Sequence, residues 1–110
     1  MNLFDSENVR MLVSALLALE SEEQCRYFLE DIMTSRELVS ISQRLAVAKL
    51  LCENEKYTAV AQKTGASSAT IVRVNHCVQY GSGGYRSVLE KLGYPGGGQD
   101  SSLRDSGEGI

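Results

Sequence analysis

Residues 57–76 read YTAVAQKTGASSATIVRVNH. Gly65 divides two short stretches of helical spacing. A turn that joins two steeply crossed helices needs one residue at positive φ, and glycine takes that conformation without a Cβ penalty. Ala61 is small where a second helix would cross the first. Val60, Ala66, Ile71 and Val74 fall where a shared core needs apolar groups, and Ser67 supplies an N-cap for the second helix. One position departs from this pattern: Thr64 ends the first helix, where an apolar residue is usual, and its methyl is expected to pack there. The stretch is read as a helix-turn-helix.

Helical geometry then fixes the outward side of the second helix. Ser67, Ser68, Ala69, Val72, Arg73 and His76 point away from the core. The N-terminal part of such a helix enters the DNA major groove. Ser67, Ser68 and Thr70 can donate to phosphates or base edges. Ala69 and Val72 can meet a thymine methyl, and Arg73 can pair with guanine or a phosphate. Lys56 and Lys63 flank the motif and can hold the backbone. The competing reading is an ordinary helical hairpin inside a structural bundle.

Working outward, the rest of the chain reads as helical. Ser6 caps a helix running to about Leu19, whose apolar residues Val9, Met11, Leu12, Val13, Ala15, Leu16, Leu17 and Leu19 cover most of its circumference. A surface helix does not need so wide an apolar face, so this one is expected to be covered on several sides. Ser21 with Gln24, and Thr34 with Glu37, are capping-box pairs. They open helices to about Ile32 and Cys52. On the longer one, Leu38, Ile41, Leu45, Ala48 and Cys52 form the main stripe, with Val47 and Leu51 as a flanking row. Residues 53–56 are a polar turn. A last helix from about Gly84 to Leu92 presents Val88, Leu89 and Leu92. Residues 1–94 are thus read as one all-α domain of about six helices. Residues 95–110 hold five glycines among sixteen residues and only two bulky apolar ones. Such a tail cannot bury enough surface to offset its ordering and is expected to be disordered.

Charge is uneven along the chain. Residues 1–31 carry seven acids against two arginines, whereas residues 32–94 carry eight bases against four acids. The net charge of −3 therefore does not oppose nucleic-acid binding, which depends on local positive surface. No apolar run approaches the roughly 20 residues of a membrane span, and the start of the chain lacks the basic region of a signal peptide. The expected setting is the cytoplasm. Cys25, Cys52 and Cys77 are odd in number and widely spaced, which supports neither a disulfide framework nor a metal site. His76 and Cys77 are helix neighbours about 100° apart and form no catalytic dyad. With one histidine and no carboxylate cluster, no catalytic residue, no metal and no enzyme activity are expected. Gly81-Ser82-Gly83-Gly84 lacks the lysine of a phosphate loop and reads as a helix stop and tight turn.

Three blocks carry a closer likeness. QRLAVAKLL (residues 43–51), TGASSATIVRVN (64–75) and YGSGGY (80–85) resemble, in order and spacing, the Trp repressor superfamily. More narrowly they resemble its TrpR-like branch of small bacterial regulators, the YerC/YecD type. The resemblance implies an intertwined homodimer whose two recognition helices read half-sites about one DNA turn apart. It matches Thr58, Gln62, Ser67, Ser68, Ala69, Thr70 and Val72 to DNA-facing positions. The implied function is a DNA-binding transcriptional regulator, a repressor. The rival is a protein-interaction module on the same fold. The resemblance also implies a corepressor pocket, which in the Trp repressor itself takes L-tryptophan. Thr34, Arg44 and Arg73 match its threonine and two arginines, while a pocket serine is replaced by Cys77, a weaker hydrogen-bond partner. Residues 80–85 follow the other branch. No cofactor is therefore expected, with tryptophan binding weak or absent. Arg44 has a surface or inter-subunit salt bridge as its alternative role, and Arg73 has DNA.

Overall fold

The computed structural model describes residues 2–95, so the expectation for the rest of the tail lies outside the described residues. Among them the chain is all-α: a 3-10 turn (Leu3–Asp5) and six helices, α1 (Glu7–Leu17), α2 (Glu22–Ile32), α3 (Ser35–Cys52), α4 (Tyr57–Thr64), α5 (Ser68–Tyr80) and α6 (Gly84–Lys91). None is long and apolar enough to cross a membrane.

Local signals explain where these helices begin. The Ser6 hydroxyl accepts from the Val9 amide at the start of α1, and Ser21 accepts from Gln24 at the start of α2. The Gln24 side chain reaches one residue further back than a standard capping box, accepting from the Glu20 amide at 2.8 Å. The pair before α3 is reciprocal: Thr34 Oγ1 accepts from Glu37 N at 3.1 Å, and Glu37 Oε1 accepts from Thr34 N at 2.9 Å. Two orphan amides of the helix start are thereby satisfied.

The end of α3 is closed just as specifically. Asn54 takes a left-handed φ of 65°. Its amide donates to Leu51 O at 3.0 Å, and the Glu55 amide donates to Leu50 O at 3.1 Å. This is a Schellman motif, with asparagine where glycine is more usual. The polar turn of the sequence is therefore a fixed one, and it sets the direction in which α4 departs.

Packing divides the chain into two units, one up to Leu38 and one from Val39. In the first, no residue of α1 or α2 is buried. The expectation that α1 is covered on several sides is not met within the single chain: Met11 is 69% and Leu17 82% exposed. This helix also stops two residues earlier than its pattern suggested. The second unit holds the core, made of Val47, Ala48, Leu51 and Cys52 of α3, Val60 of α4, Ala66, Ile71, Val74 and Val78 of α5 and its turn, and Leu89 of α6. Full burial of the valine, leucine and isoleucine side chains among them stabilises by about 1.5–3 kcal/mol each. The flanking row of α3, Val47 and Leu51, is thus core. Ile41 and Leu45 of its main stripe stay partly exposed. On α6 only Leu89 is buried, while Val88 and Leu92 face outward.

Candidate nucleic-acid interface

The connection between α4 and α5 is built from backbone and short polar groups. α4 ends at Gly65, whose φ of 74° and ψ of 8° are left-handed and whose amide donates to Ala61 O. Thr64 then fastens the turn. Its hydroxyl donates to Val60 O at 2.7 Å and accepts from the Ala66 amide at 3.1 Å. The expected methyl packing is thus secondary to a polar role. From α3, Gln43 Nε2 donates to Thr64 O at 3.1 Å, satisfying a carbonyl that the helix end leaves open. The Ser67 hydroxyl caps α5 by accepting from Thr70 N at 3.2 Å and itself donates to Thr70 Oγ1 at 3.1 Å. Val60, Ala66, Ile71 and Val74 are buried on the inner side, as the spacing predicts.

This inner anchoring leaves a continuous outer face. Ser67, Ser68, Ala69, Val72, Arg73 and His76 are all exposed, as are Thr58, Gln62 and Lys63 on α4, whereas Thr70 is half-buried. The Ser67 and Thr70 hydroxyls share one hydrogen bond, which leaves one proton of the pair for an outside acceptor. Arg73 has no acidic partner within 4 Å among the described residues. Lys63 does have one: its ammonium lies 3.2 Å from Glu55 Oε1. The His76 ring leans on Tyr80, with centroids 5.2 Å apart.

The arrangement is that of a helix-turn-helix whose second helix leaves its N-terminal side exposed. The family model for the Trp repressor protein matches residues 7–93. The chain belongs to the Trp repressor family. It is 40% identical over 81 residues to the uncharacterized protein YerC of Bacillus subtilis (strain 168), covering 74% of this chain and 78% of that one. Among solved structures it resembles a TrpR-like protein from Eubacterium eligens ATCC 27750 (TM-score 0.80, 44% identity, 84% of this chain and 96% of that one). It also resembles a candidate Trp repressor from Staphylococcus aureus (TM-score 0.79, 34% identity, 86% and 97%).

The residues matched to the corepressor pocket of the Trp repressor are placed as follows. Thr34 caps α3 and lines a groove of about 680 Å³ in the first unit, together with Glu22, Arg26, Glu30 and Leu38. In the second unit Cys77 lines a mainly apolar groove of about 510 Å³ with Leu45, Gly81, Tyr85 and Val88. Arg44 and Arg73 do not line that groove. Partial burial, reinforced by Cys77, raises the Tyr85 phenol above its ordinary pKa, with Arg44 opposing. Cys77 and Arg44 therefore both act on Tyr85. The end of α5 depends on Gly81, because a Cβ there would collide with the Cys77 carbonyl oxygen. Arg86 Nε donates to Val78 O at 2.9 Å, closing the last turn of α5. Among the described residues, no group of three or more His, Cys, Asp or Glu side chains could hold a metal ion.

Three contributors escaped sequence reading: Gln43, the hydroxyl of Thr64, and Glu55. The only signal for Gln43 was its place in the first block of family likeness. Thr64 stood out as a departure, and departures at a turn are where polar fastening should be sought.

Proposed function

We propose that this protein is a sequence-specific, double-stranded DNA-binding transcriptional regulator, acting as a cytoplasmic homodimer and repressing the genes it binds. The observation that carries the reading is the exposed face of α5. Ser68, Ala69, Val72 and Arg73 stand outward from a helix whose opposite side is anchored in the core. Short side chains there allow the backbone to approach a major groove closely, and Arg73 offers the bidentate donors that guanine accepts. Family membership supports the reading.

The dimer rests on the first unit. Leu12, Val13 and Leu16 of α1 are 39–48% exposed, and Met11 and Leu17 more so. An apolar helix this open in one chain is accounted for by a second copy covering it. Light scattering at micromolar concentration should give twice the chain mass, and a monomeric mass refutes the dimer.

DNA binding is tested by titrating salt against a pool of labelled genomic duplex fragments. The logarithm of the affinity should fall linearly with log salt concentration, with a slope of about −0.9 per phosphate neutralised. Absence of binding above background at low salt removes the proposal.

A further inference from the structure

The ion pair on the flank of the helix-turn-helix has a direct consequence for affinity. Glu55 follows the left-handed Asn54, and its amide is held by Leu50 O. The Schellman turn therefore fixes the Glu55 backbone beside α4. From there the carboxylate reaches the Lys63 ammonium at 3.2 Å. The neighbouring acid, Glu53, is already engaged with Lys49 at 2.9 Å. Glu55 is thus the carboxylate that neutralises Lys63, one of the two lysines flanking the motif.

We infer that Glu55 is a built-in brake on DNA binding, lowering affinity by cancelling the positive charge of Lys63. The inference rests on the DNA-binding reading above. Two routes lead to the same result. If Lys63 stays with Glu55, it neutralises no phosphate. If it leaves for a phosphate, the Glu55 carboxylate is left facing the duplex and takes up a cation as the phosphate releases one. Either way the pair contributes no net counterion release. The pair is also dispensable to the fold: the Lys63 side chain is 56% exposed, and pairs at such sites add little to stability. The wild-type protein therefore binds less tightly, and with a shallower salt dependence, than its bases alone would give. Such a brake favours discrimination, because it trims the sequence-independent part of binding and leaves the outer face of α5 untouched.

The test uses the full chain and one labelled duplex selected from the genomic pool. Glu55→Gln should bind more tightly than wild type at low salt, with a slope steeper by about 0.9 per docked protomer. For a fourfold rise in salt, that slope difference shrinks the affinity advantage by about 3.5-fold per protomer. Lys63→Gln should cost less affinity in the wild-type background than in the Glu55→Gln background. Glu55→Ala should repeat the gain, which guards against a peculiarity of the amide. Matching far-UV spectra and urea midpoints establish that the variants are folded. An unchanged slope and affinity in both Glu55 variants overturns the brake, as does an equal cost of Lys63→Gln in the two backgrounds. If wild type itself shows no salt-dependent binding, the DNA reading fails first and takes the brake with it. The wild-type titration alone identifies that outcome.

Discussion

Replacing Gly65 by Ala adds one methyl group to the turn that orients α5. Beyond its two chain neighbours, an ideal Cβ built there has no heavy atom within 4 Å, so the substitution creates no collision. What remains is the backbone, held at φ 74°. Left-handed backbone costs an L-residue about 1–2 kcal/mol. Alanine also restricts the unfolded chain, which returns about 0.4–1 kcal/mol. The net loss is then about 1 kcal/mol. With a urea m-value of about 1–3 kcal/mol/M for a protein of this size, the midpoint should fall by about 0.3–1 M. Gly65→Asn is the discriminating partner, since asparagine enters the left-handed region readily and should lose much less. Gly81→Ala supplies the contrast: its Cβ would overlap the Cys77 carbonyl oxygen, a backbone atom that cannot swing aside, so its loss should exceed that of Gly65→Ala. Urea unfolding followed by far-UV circular dichroism measures all three, at one fixed protomer concentration because association couples to stability. Equal losses for Ala and Asn at position 65 refute the backbone argument. A loss of about 3 kcal/mol or more for Gly65→Ala shows that something packs against the turn.

Thr64→Val keeps the shape but removes the acceptor for the Ala66 amide and the donor to Val60 O; it should destabilise by about 1–3 kcal/mol, while Thr64→Ser should recover most of that in the same urea assay. Arg73→Ala should leave the urea midpoint near wild type, because the side chain is exposed without an acidic partner among the described residues. If Arg73 contacts a phosphate, the salt slope of DNA binding should fall by about 0.9 per protomer. If it pairs with guanine, discrimination between sites should drop by about 1–3 kcal/mol instead. L-tryptophan should bind weakly or not at all by calorimetry, since Cys77 replaces the pocket serine and neither Arg44 nor Arg73 lines the groove that Cys77 enters; stoichiometric micromolar binding that also tightens DNA affinity refutes this.

The helix-turn-helix was legible because each of its positions answers a local demand. A left-handed turn asks for Gly65, a helix start for Ser67, and two crossing helices for Val60, Ile71 and Val74. Such demands are met within a few residues and leave a pattern. The core face of α3 was less legible. Leu38, Ile41 and Leu45 repeat as regularly as Val47 and Leu51, and periodicity alone does not say which row the neighbouring helices cover. Only the arrangement of α4, α5 and α6 selects Val47, Ala48, Leu51 and Cys52. The Gln43 bond to Thr64 O spans 21 residues, and no local rule brings those two together. Glu55 and Lys63 are eight apart on different elements, so their pairing depends on the left-handed Asn54, which the sequence showed only as part of a polar run.

Under the proposed function, these polar bonds bear on recognition as well as stability. The outer face of α5 begins with Ser67, Ser68, Ala69 and Val72, none of which reaches far from the helix. A long side chain can compensate for a small error in helix placement by changing rotamer, but a serine or an alanine cannot. Reading a base edge with short groups therefore requires that α5 be positioned to within a fraction of an ångström, by parts that are themselves stiff. The turn meets that requirement. Thr64 bonds on both sides of Gly65, Gln43 ties the Thr64 carbonyl to α3, and Ser67 locks the first turn of α5. Under the proposed function, loosening this fastening should harm discrimination between sites more than total affinity, because Lys56 and Arg73 can still find phosphates from a misplaced helix. The proposed brake at Glu55 works in the same direction. A protein that reads DNA with short side chains gains little from indiscriminate phosphate attraction, and neutralising one flanking lysine leaves more of its affinity to the contacts that depend on sequence.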